Sequence, residues 1–210
     1  MPDTILLCDD TALYDRQGRC FDPLTFGWVQ KGPLPSGLKE MGLEEALTWL
    51  QKKSGTPIRP PVAVIGPREA TDEQRAVART VGQDLASLGF SVLCGGRQGV
   101  MEAVCRGVAE KGGVSVGLIP DAEWSAANPY VTVPIATGIG IARNALISRA
   151  ALVVIAVGGG LGTLSEIALS LQFGKTVFTL CGAPVVEGAQ AFPDWSALKP
   201  VLCRTALGLS

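Results

Sequence analysis

The sequence predicts an α/β fold in which a doubly wound, mostly parallel sheet carries helices on both faces. Three observations support this prediction. From residue 62 onward, short apolar runs alternate with segments of helical periodicity. Glycine-rich turns follow several of the apolar runs. Apolar residues make up 47% of the 210-residue chain and charged residues 18%, so a large core can form.

The first 60 residues lack this alternation and predict a small appendage. Two strands are expected at 4–8 and 20–29, with turn residues at 15–18 between them, followed by a short helix at 43–53. A proline-rich linker then places the boundary between an appendage, residues 1–60, and a nucleotide-binding domain, residues 61–210. The appendage is consistent with a packing or dimerisation element and also with a lid over a ligand.

In the second domain a capping box, T-D-E-Q at 71–74, opens the first helix. Pro134 places the fourth strand at an edge or a turn. Strands are predicted at 62–66, 90–94, 114–119, 130–135, 152–157 and 176–181, and helices at 71–88, 98–111, 139–150, 164–173 and 195–205.

Composition excludes several kinds of chemistry. The absence of histidine excludes a Ser–His triad, a histidine base and a His-ligated metal, so proton transfer must use Asp, Glu, Lys, Tyr, Cys or water. The six cysteines form no C-x-x-C pair, so we predict no metal site and reduced core cysteines. A formal net charge of −1 without a basic run argues against nucleic acid or an anionic membrane as partner. Without a signal peptide or a spanning segment, a cytoplasmic protein is expected.

The glycine run at 158–162 is the strongest functional signal. It lies between the apolar strand at 152–157 and a predicted helix. Glycines allow a close approach of the backbone, and the first amides of a helix favour an anion. The sequence therefore predicts a phosphate site made of Gly158, Gly159, Gly160, Gly162 and Thr163. An alternative for the following residues is a capping box, T-x-x-E, in which Glu166 only caps the helix.

Two further turns follow predicted strands and should reach the same edge of the sheet. Neither is a Walker loop, and neither fits G-x-G-x-x-G at the first strand, which disfavours ordinary NAD binding. Arg143 and Asn144 precede the fifth strand, where an arginine can meet a phosphate or remain solvated. The candidate ligand-binding residues of the two turns are Gly66, Arg68, Gly95, Gly96, Arg97 and Gly99.

These motifs together resemble the LONELY GUY (LOG) proteins, once called lysine-decarboxylase-like. The resemblance rests on R-N-x4-R at 143–149, G-G-G-L-G-T-L-S-E at 158–166, C-G-G-R-Q-G-V-M at 94–101 and G-L-I-P at 117–120. It covers about residues 62–182.

The resemblance implies a Rossmann-like homodimer or higher homo-oligomer that acts on a small phosphorylated ligand. LOG enzymes hydrolyse the N-glycosidic bond of a nucleoside 5′-monophosphate to give the base and ribose 5-phosphate, with no cofactor required. By resemblance, Arg143 and Glu166 would be the catalytic pair. Gly159, Gly160, Gly162 and Thr163 would hold the 5′-phosphate.

Two departures from the LOG pattern support a second expectation. Gly158 replaces the LOG proline, and Asn144 replaces the LOG lysine. The resulting pattern is similar to the molybdenum cofactor carrier proteins, which bind a phosphorylated pterin without turnover. The alternative function is therefore a carrier or sensor of a molybdopterin-type ligand. Single-stranded DNA handling, as in the DNA-processing protein A relatives of this fold, is disfavoured by the near-zero net charge.

Overall fold

The computed structural model describes residues 5–8 and 11–209, which divide into two compact units. The larger unit is Pro60–Leu198, and the smaller unit joins the residues before Pro60 to those from Lys199 onward. The sequence assigned the C-terminal residues to the nucleotide-binding domain, but their contacts place them with the N-terminal ones. The Trp28 indole donates to the Leu207 carbonyl at 2.7 Å, and Lys199 pairs with Glu44 at 2.8 Å.

The described residues of the smaller unit contain a five-stranded antiparallel sheet, one helix of their own and the greater part of the C-terminal helix. The predicted strand at 20–29 is in fact two strands, because residues 23–26 form a turn. Asp22 stabilises this turn by accepting hydrogen bonds from the Leu24 amide and the Thr25 hydroxyl. Residue 4 of the first predicted strand lies outside the described residues. Along the chain the elements are β1 Ile5–Cys8, β2 Ala12–Tyr14, β3 Arg19–Asp22, β4 Gly27–Gln30, β5 Lys39–Met41 and α1 Leu43–Lys52. In the sheet the strands lie side by side in the order β4-β3-β2-β1-β5.

The larger unit contains a seven-stranded parallel sheet, which confirms the predicted Rossmann-like fold class. Its strands are β6 Val62–Ile65, β7 Val92–Cys94, β8 Ser115–Ile119, β9 Val133–Ala136, β10 Val153–Val157, β11 Thr176–Leu180 and the unpredicted two-residue β12 Gln190–Ala191. The order is β12-β11-β10-β6-β7-β8-β9. The chain therefore proceeds from β6 towards β9 and restarts at β10 on the other side. The carboxyl ends of β6 and β10 form the switch point at which open α/β sheets bind ligands.

Five helices complete this part of the chain: α2 Asp72–Leu88, α3 Val100–Glu110, α4 Asn144–Ala150, α5 Leu161–Gln172 and α6 Trp195–Ala206, which runs on into the smaller unit. The predicted capping box of α2 is confirmed, since Thr71 and Gln74 exchange both hydrogen bonds. The predicted helix at 139–150 begins instead as a 3-10 turn, Gly140–Arg143, because Gly140 takes a φ of +59°. Among the described residues, no helix combines the length and apolarity that crossing a membrane requires.

Close packing of α2 on α3 depends on two glycines. A Cβ at Gly82 would overlap the carbonyl of Val104, and a Cβ at Gly107 would overlap the carbonyl of Arg79. Both backbones therefore approach more closely than side chains would allow. This contact fixes α3, whose first turn lines the switch point, against α2.

Candidate functional site

A cleft of about 480 Å³ lies at the switch point between β6 and β10. The turn after β6, the first residue after β7, the 3-10 turn before α4 and the first turns of α3 and α5 form its walls. Nine of the residues predicted from the sequence line it: Gly66, Arg68, Gly95, Arg143, Asn144, Gly160, Gly162, Thr163 and Glu166.

The N-terminus of α5 presents an anion-binding surface to this cleft. Gly158 and Gly159 take φ values of +61° and +146°, which favour glycine, and they turn the chain from β10 into the helix. Gly160 is the N-cap, and no side chain caps the helix. A Cβ at Gly160 or Gly162 would meet no atom within 4 Å, so the space beside the first turn is open. The first amides of α5 are therefore available to a phosphate.

The capping-box alternative for Thr163 and Glu166 is wrong. The helix begins at Leu161, so Thr163 lies within its first turn instead of preceding it. The Glu166 carboxylate accepts a hydrogen bond from Arg143. Glu166 is therefore free of a capping role and faces the cleft.

Arg143 and Glu166 form a buried ion pair in the cleft wall. Arg143 Nη1 lies 3.0 Å from Glu166 Oε1, and both side chains are more than 90% buried. Burial raises the pKa of Glu166 to about 7, against the lowering effect of Arg143. Burial likewise lowers the pKa of Arg143, although Glu166 favours its charged form. For the pKa of Glu166, the effect of burial is thus larger than that of the attraction to Arg143, and the carboxyl titrates near neutral pH.

The guanidinium of Arg143 is not fully hydrogen-bonded. Its buried Nε has no hydrogen-bond partner among the described residues. Gly95 makes room for the group, because a Cβ there would overlap the guanidinium. A buried unpaired N–H is costly, so an acceptor on a bound ligand would stabilise this arrangement.

Serine and asparagine side chains fix the two helices that carry the pair. Asn144 Nδ2 donates to Ser165 Oγ at 2.9 Å, and that hydroxyl donates to the Gly162 carbonyl at 2.7 Å. Ser148 Oγ of α4 and Ser170 Oγ of α5 both donate to the Glu166 carbonyl, at 3.0 and 2.7 Å. These bonds tie Glu166 and the first turn of α5 to α4.

Gly66 brings the ends of the two central strands together. A Cβ at this position would lie 2.6 Å from both the Val157 carbonyl oxygen and Val100 Cγ1. Glycine is therefore required where the turn after β6 passes between β10 and α3. The sequence signal for Gly66 was its place at a strand end, and the structure supplies the steric reason.

Arg97 does not line the cleft, although the sequence made it a candidate. Its Nη1 pairs with Asp121 at 2.8 Å and donates to the Ala126 carbonyl at 3.0 Å. Asn128 donates from Nδ2 to the Arg97 carbonyl at 2.9 Å. These contacts join the segment after β8 to the glycine turn after β7. The role of Arg97 in the structure is thus to organise two loops.

Four predicted glycines support the cleft from outside its lining. A Cβ at Gly96 would overlap the Ile119 side chain, and a Cβ at Gly99 would overlap the backbone of residues 67 and 68. A Cβ at Gly158 would overlap the Gln74 side chain, and a Cβ at Gly159 would overlap the Thr163 side chain. Each of these glycines permits a close contact behind the wall. The four residues are Gly96, Gly99, Gly158 and Gly159.

Sequence reasoning missed the apolar part of the lining. Ile65, Pro67, Met101 and Ile141 complete the wall. Ile141 is 87% exposed at the cleft, although it is a large aliphatic residue. The sequence carried no signal for Ile141 beyond its place between Gly140 and Arg143, although ligand pockets are mostly lined by apolar side chains. A flat apolar ring system could pack on this wall while its phosphate meets α5.

No cluster of three His, Cys, Asp or Glu side chains that could hold a metal occurs within residues 5–8 and 11–209. Cys20, Cys94 and Cys105 are buried thiols, and Cys181 is a partly exposed one. Cys94 and Cys105 lie with their sulfur atoms 3.4 Å apart behind Gly95. This packing places both of these side chains in the core.

The family assignment comes from residues 59–196, which match the sequence model of the SLOG cluster 4 family. The chain belongs to this family. The matched segment includes all of the turns that build the cleft. It confirms the resemblance seen in the motifs at the level of the LOG-like superfamily.

Three relatives illustrate the similarity. An uncharacterised protein from Archaeoglobus fulgidus is 40% identical over 131 residues, which cover 62% of this chain and 86% of the relative. The molybdenum cofactor binding protein from the phototrophic bacterium Rippkaea orientalis is 31% identical with a TM-score of 0.66, over 70% of this chain and 97% of that one. The molybdenum cofactor carrier protein from Chlamydomonas reinhardtii is 29% identical with a TM-score of 0.65, over 70% and 98% of the two chains.

Proposed function

We propose that the chain binds a phosphorylated, nucleotide-like ligand in the switch-point cleft and hydrolyses its N-glycosidic bond. The observation that carries this proposal is the uncapped N-terminus of α5 facing a cleft that also holds the Arg143–Glu166 pair. The phosphate accepts hydrogen bonds from the first amides of α5, where the helix dipole favours an anion. The open positions at Gly160 and Gly162 leave room for its oxygens.

Glu166 and Arg143 take the chemical roles. Glu166, with a pKa of about 7, accepts a proton from water as the water oxygen bonds to C1′ of the ribose. The C1′–N bond breaks, and the departing base takes up from Glu166, directly or through a water, the proton that the attacking water gave up, so that base and ribose 5-phosphate form from nucleotide and water and Glu166 is again ionised. The carboxylate also stabilises positive charge on the ribose in the transition state. Arg143 holds Glu166 in place and donates its remaining N–H groups to the ligand.

A second candidate function is carriage of a phosphorylated pterin, such as the molybdenum cofactor, without turnover. The similarity to the proteins from Rippkaea orientalis and Chlamydomonas reinhardtii favours it. The same cleft would serve, with the phosphate at α5 and the pterin ring against the apolar wall at Ile141. Here Arg143 and Glu166 would bind the ring by hydrogen bonds and take part in no bond cleavage.

One experiment separates the two functions. Purified protein is incubated with AMP and other nucleoside monophosphates, and the free base is measured by chromatography. We expect base release that Glu166→Ala abolishes and that Glu73→Gln leaves unchanged, since Glu73 is an exposed residue of α2 outside the cleft. No release from the wild type, together with thermal stabilisation by molybdenum cofactor, would replace hydrolysis by carriage.

The oligomeric state belongs to the same proposal. Large apolar side chains beside the cleft are exposed, including Leu161 at 86% and Ile141 at 87%. A second copy of the chain covering these side chains would remove them from water, as expected for a homodimer. Light scattering of the purified protein tests this, and a monomer at micromolar concentration would contradict it.

A further inference from the structure

A second groove, of about 420 Å³, lies between α2 and α3 beside the switch-point cleft. Four arginines line it: Arg68, Arg75, Arg79 and Arg106. Arg68 lines both the groove and the cleft, so the two spaces meet at this residue. The Val100 amide donates to the Pro67 carbonyl at 3.1 Å, which ties the turn that carries Arg68 to the start of α3.

Two of the arginines are held in place by one carboxylate. Glu110 pairs with Arg79 at 2.8 Å and with Arg106 at 3.2 Å. The hydrogen bond from Arg79 is the main reason that the pKa of Glu110 falls to about 2, so the carboxylate stays ionised. A guanidinium has five N–H donors, and Arg106 uses only Nε on Glu110. The Arg106 guanidinium also lies over the Tyr130 ring, with Cζ 5.9 Å from the ring centroid. Glu110 and Tyr130 therefore hold the group in the groove wall, and its two terminal nitrogens keep their donors.

Arg68 has no ion-pair partner among the described residues. The groove thus has one uncompensated cation where it joins the cleft and a second, pre-positioned guanidinium further along. Glu102 adds a carboxylate to the same wall. Arginines suit the oxygens of a phosphate, and a carboxylate suits sugar hydroxyls.

We propose that the ligand is a dinucleotide, with two nucleotides joined through a diphosphate. This rests on the proposed function, which places the first phosphate at the N-terminus of α5. The first nucleotide occupies the cleft, and Arg68 contacts the diphosphate where the two spaces meet. The second nucleotide lies in the arginine groove, with Arg106 on its phosphate side and Glu102 on its ribose hydroxyls.

Calorimetric titration tests this with three probes at one salt concentration: AMP, ADP and diadenosine diphosphate. We expect diadenosine diphosphate to bind at least about tenfold tighter than AMP, the effect of one or two added charge-assisted hydrogen bonds. Arg106→Ala should remove this advantage and leave AMP affinity unchanged, because Arg106 lines only the groove. Arg106→Lys, which keeps the charge, should restore part of it. Arg16→Ala, an exposed arginine outside both spaces, is the matched control.

The outcomes separate this inference from the proposed function. If AMP binds and diadenosine diphosphate binds no tighter, the dinucleotide is overturned and the cleft site stands. If ADP shows the whole advantage, the groove holds a phosphate without a second nucleoside, and the dinucleotide is again overturned. If Arg106→Ala weakens AMP and diadenosine diphosphate equally, the groove is not a ligand site. If none of the three probes binds, the proposed function and this inference both fail.

Discussion

Glu166 should make the protein less stable as the pH rises through neutrality. Burial raises the pKa of this carboxyl to about 7 in the folded protein, whereas an unfolded chain has a Glu pKa of about 4.3. The folded state therefore binds the Glu166 proton more tightly than the unfolded state does. The stability that this proton contributes is present in full below the unfolded pKa and is lost as the pH rises through about 7.

The loss is large enough to measure. One pKa unit corresponds to about 1.4 kcal/mol, so Glu166 alone should lower the free energy of unfolding by about 2–3 kcal/mol between about pH 5 and pH 8. The chain has no histidine, whose titration would otherwise dominate this range. Carboxyls with a lowered pKa, such as Glu110 and Asp194, affect stability in the opposite direction. The stability that they contribute to the protein is lost as the pH falls through their folded-state pKa, which lies below this range.

Urea unfolding followed by tryptophan fluorescence across this pH range tests the reasoning. Wild-type stability should decline from acid to neutral pH. The stability of Glu166→Gln should not vary over this range, because the amide carbonyl can still accept a hydrogen bond from Arg143 and no group titrates at position 166. The exposed variant Glu73→Gln should decline like the wild type. The reasoning is refuted by wild-type stability that is constant or rises over the range, or by an equal decline in Glu166→Gln.

Three further changes test the packing that supports the site. Gly95→Ala should weaken AMP binding about tenfold or more, measured by calorimetry, because the new Cβ displaces the Arg143 guanidinium; unchanged affinity would contradict this. Thr71→Ala should lower the free energy of unfolding, measured in urea, by about 1 kcal/mol, because the α2 cap is lost. Thr71→Ser keeps a capping hydroxyl and should retain most of the wild-type stability. Gly107→Ala should lower the free energy of unfolding in the same assay by about 1–3 kcal/mol, because the new Cβ overlaps the Arg79 carbonyl across the α2–α3 contact. An unfolding midpoint equal to that of the wild type would contradict this, since it would mean that the two helices move apart without cost.

The fold class was predictable because the signals for a parallel sheet are local. Strands such as Val153–Val157 are buried on both faces and appear in the sequence as continuous apolar runs between glycine turns. The capping box at Thr71 was equally readable, since both of its hydrogen bonds join residues three apart. The smaller unit was harder, because its strands are three or four residues long and one of them, Lys39–Met41, contains two charged residues.

The candidate site was only partly predictable, because spacing does not determine where a side chain is directed. The pattern T-x-x-E at 163–166 is the same whether Glu166 caps its own helix or reaches Arg143 on another. The choice depended on where α5 begins, and Gly160 sets that point by adopting an extended φ of −138°. Arg97 illustrates the same limit: it lies in a glycine-rich turn, yet its guanidinium finds Asp121 on the neighbouring loop.

The chain has no histidine, and burial gives the Glu166 carboxyl a pKa of about 7. The same burial requires a partner for the ionised form, and Arg143 meets that need with one of its nitrogens. The pair is more than 90% buried, Arg143 Nε has no partner among the described residues, and both residues line the cleft. A ligand that enters the cleft therefore meets the uncapped N-terminus of α5 and a carboxyl with a pKa near neutral pH in the same wall. Both hydrolysis and carriage can use that wall, and the distinction between them rests on whether C1′ of a ribose can approach Glu166.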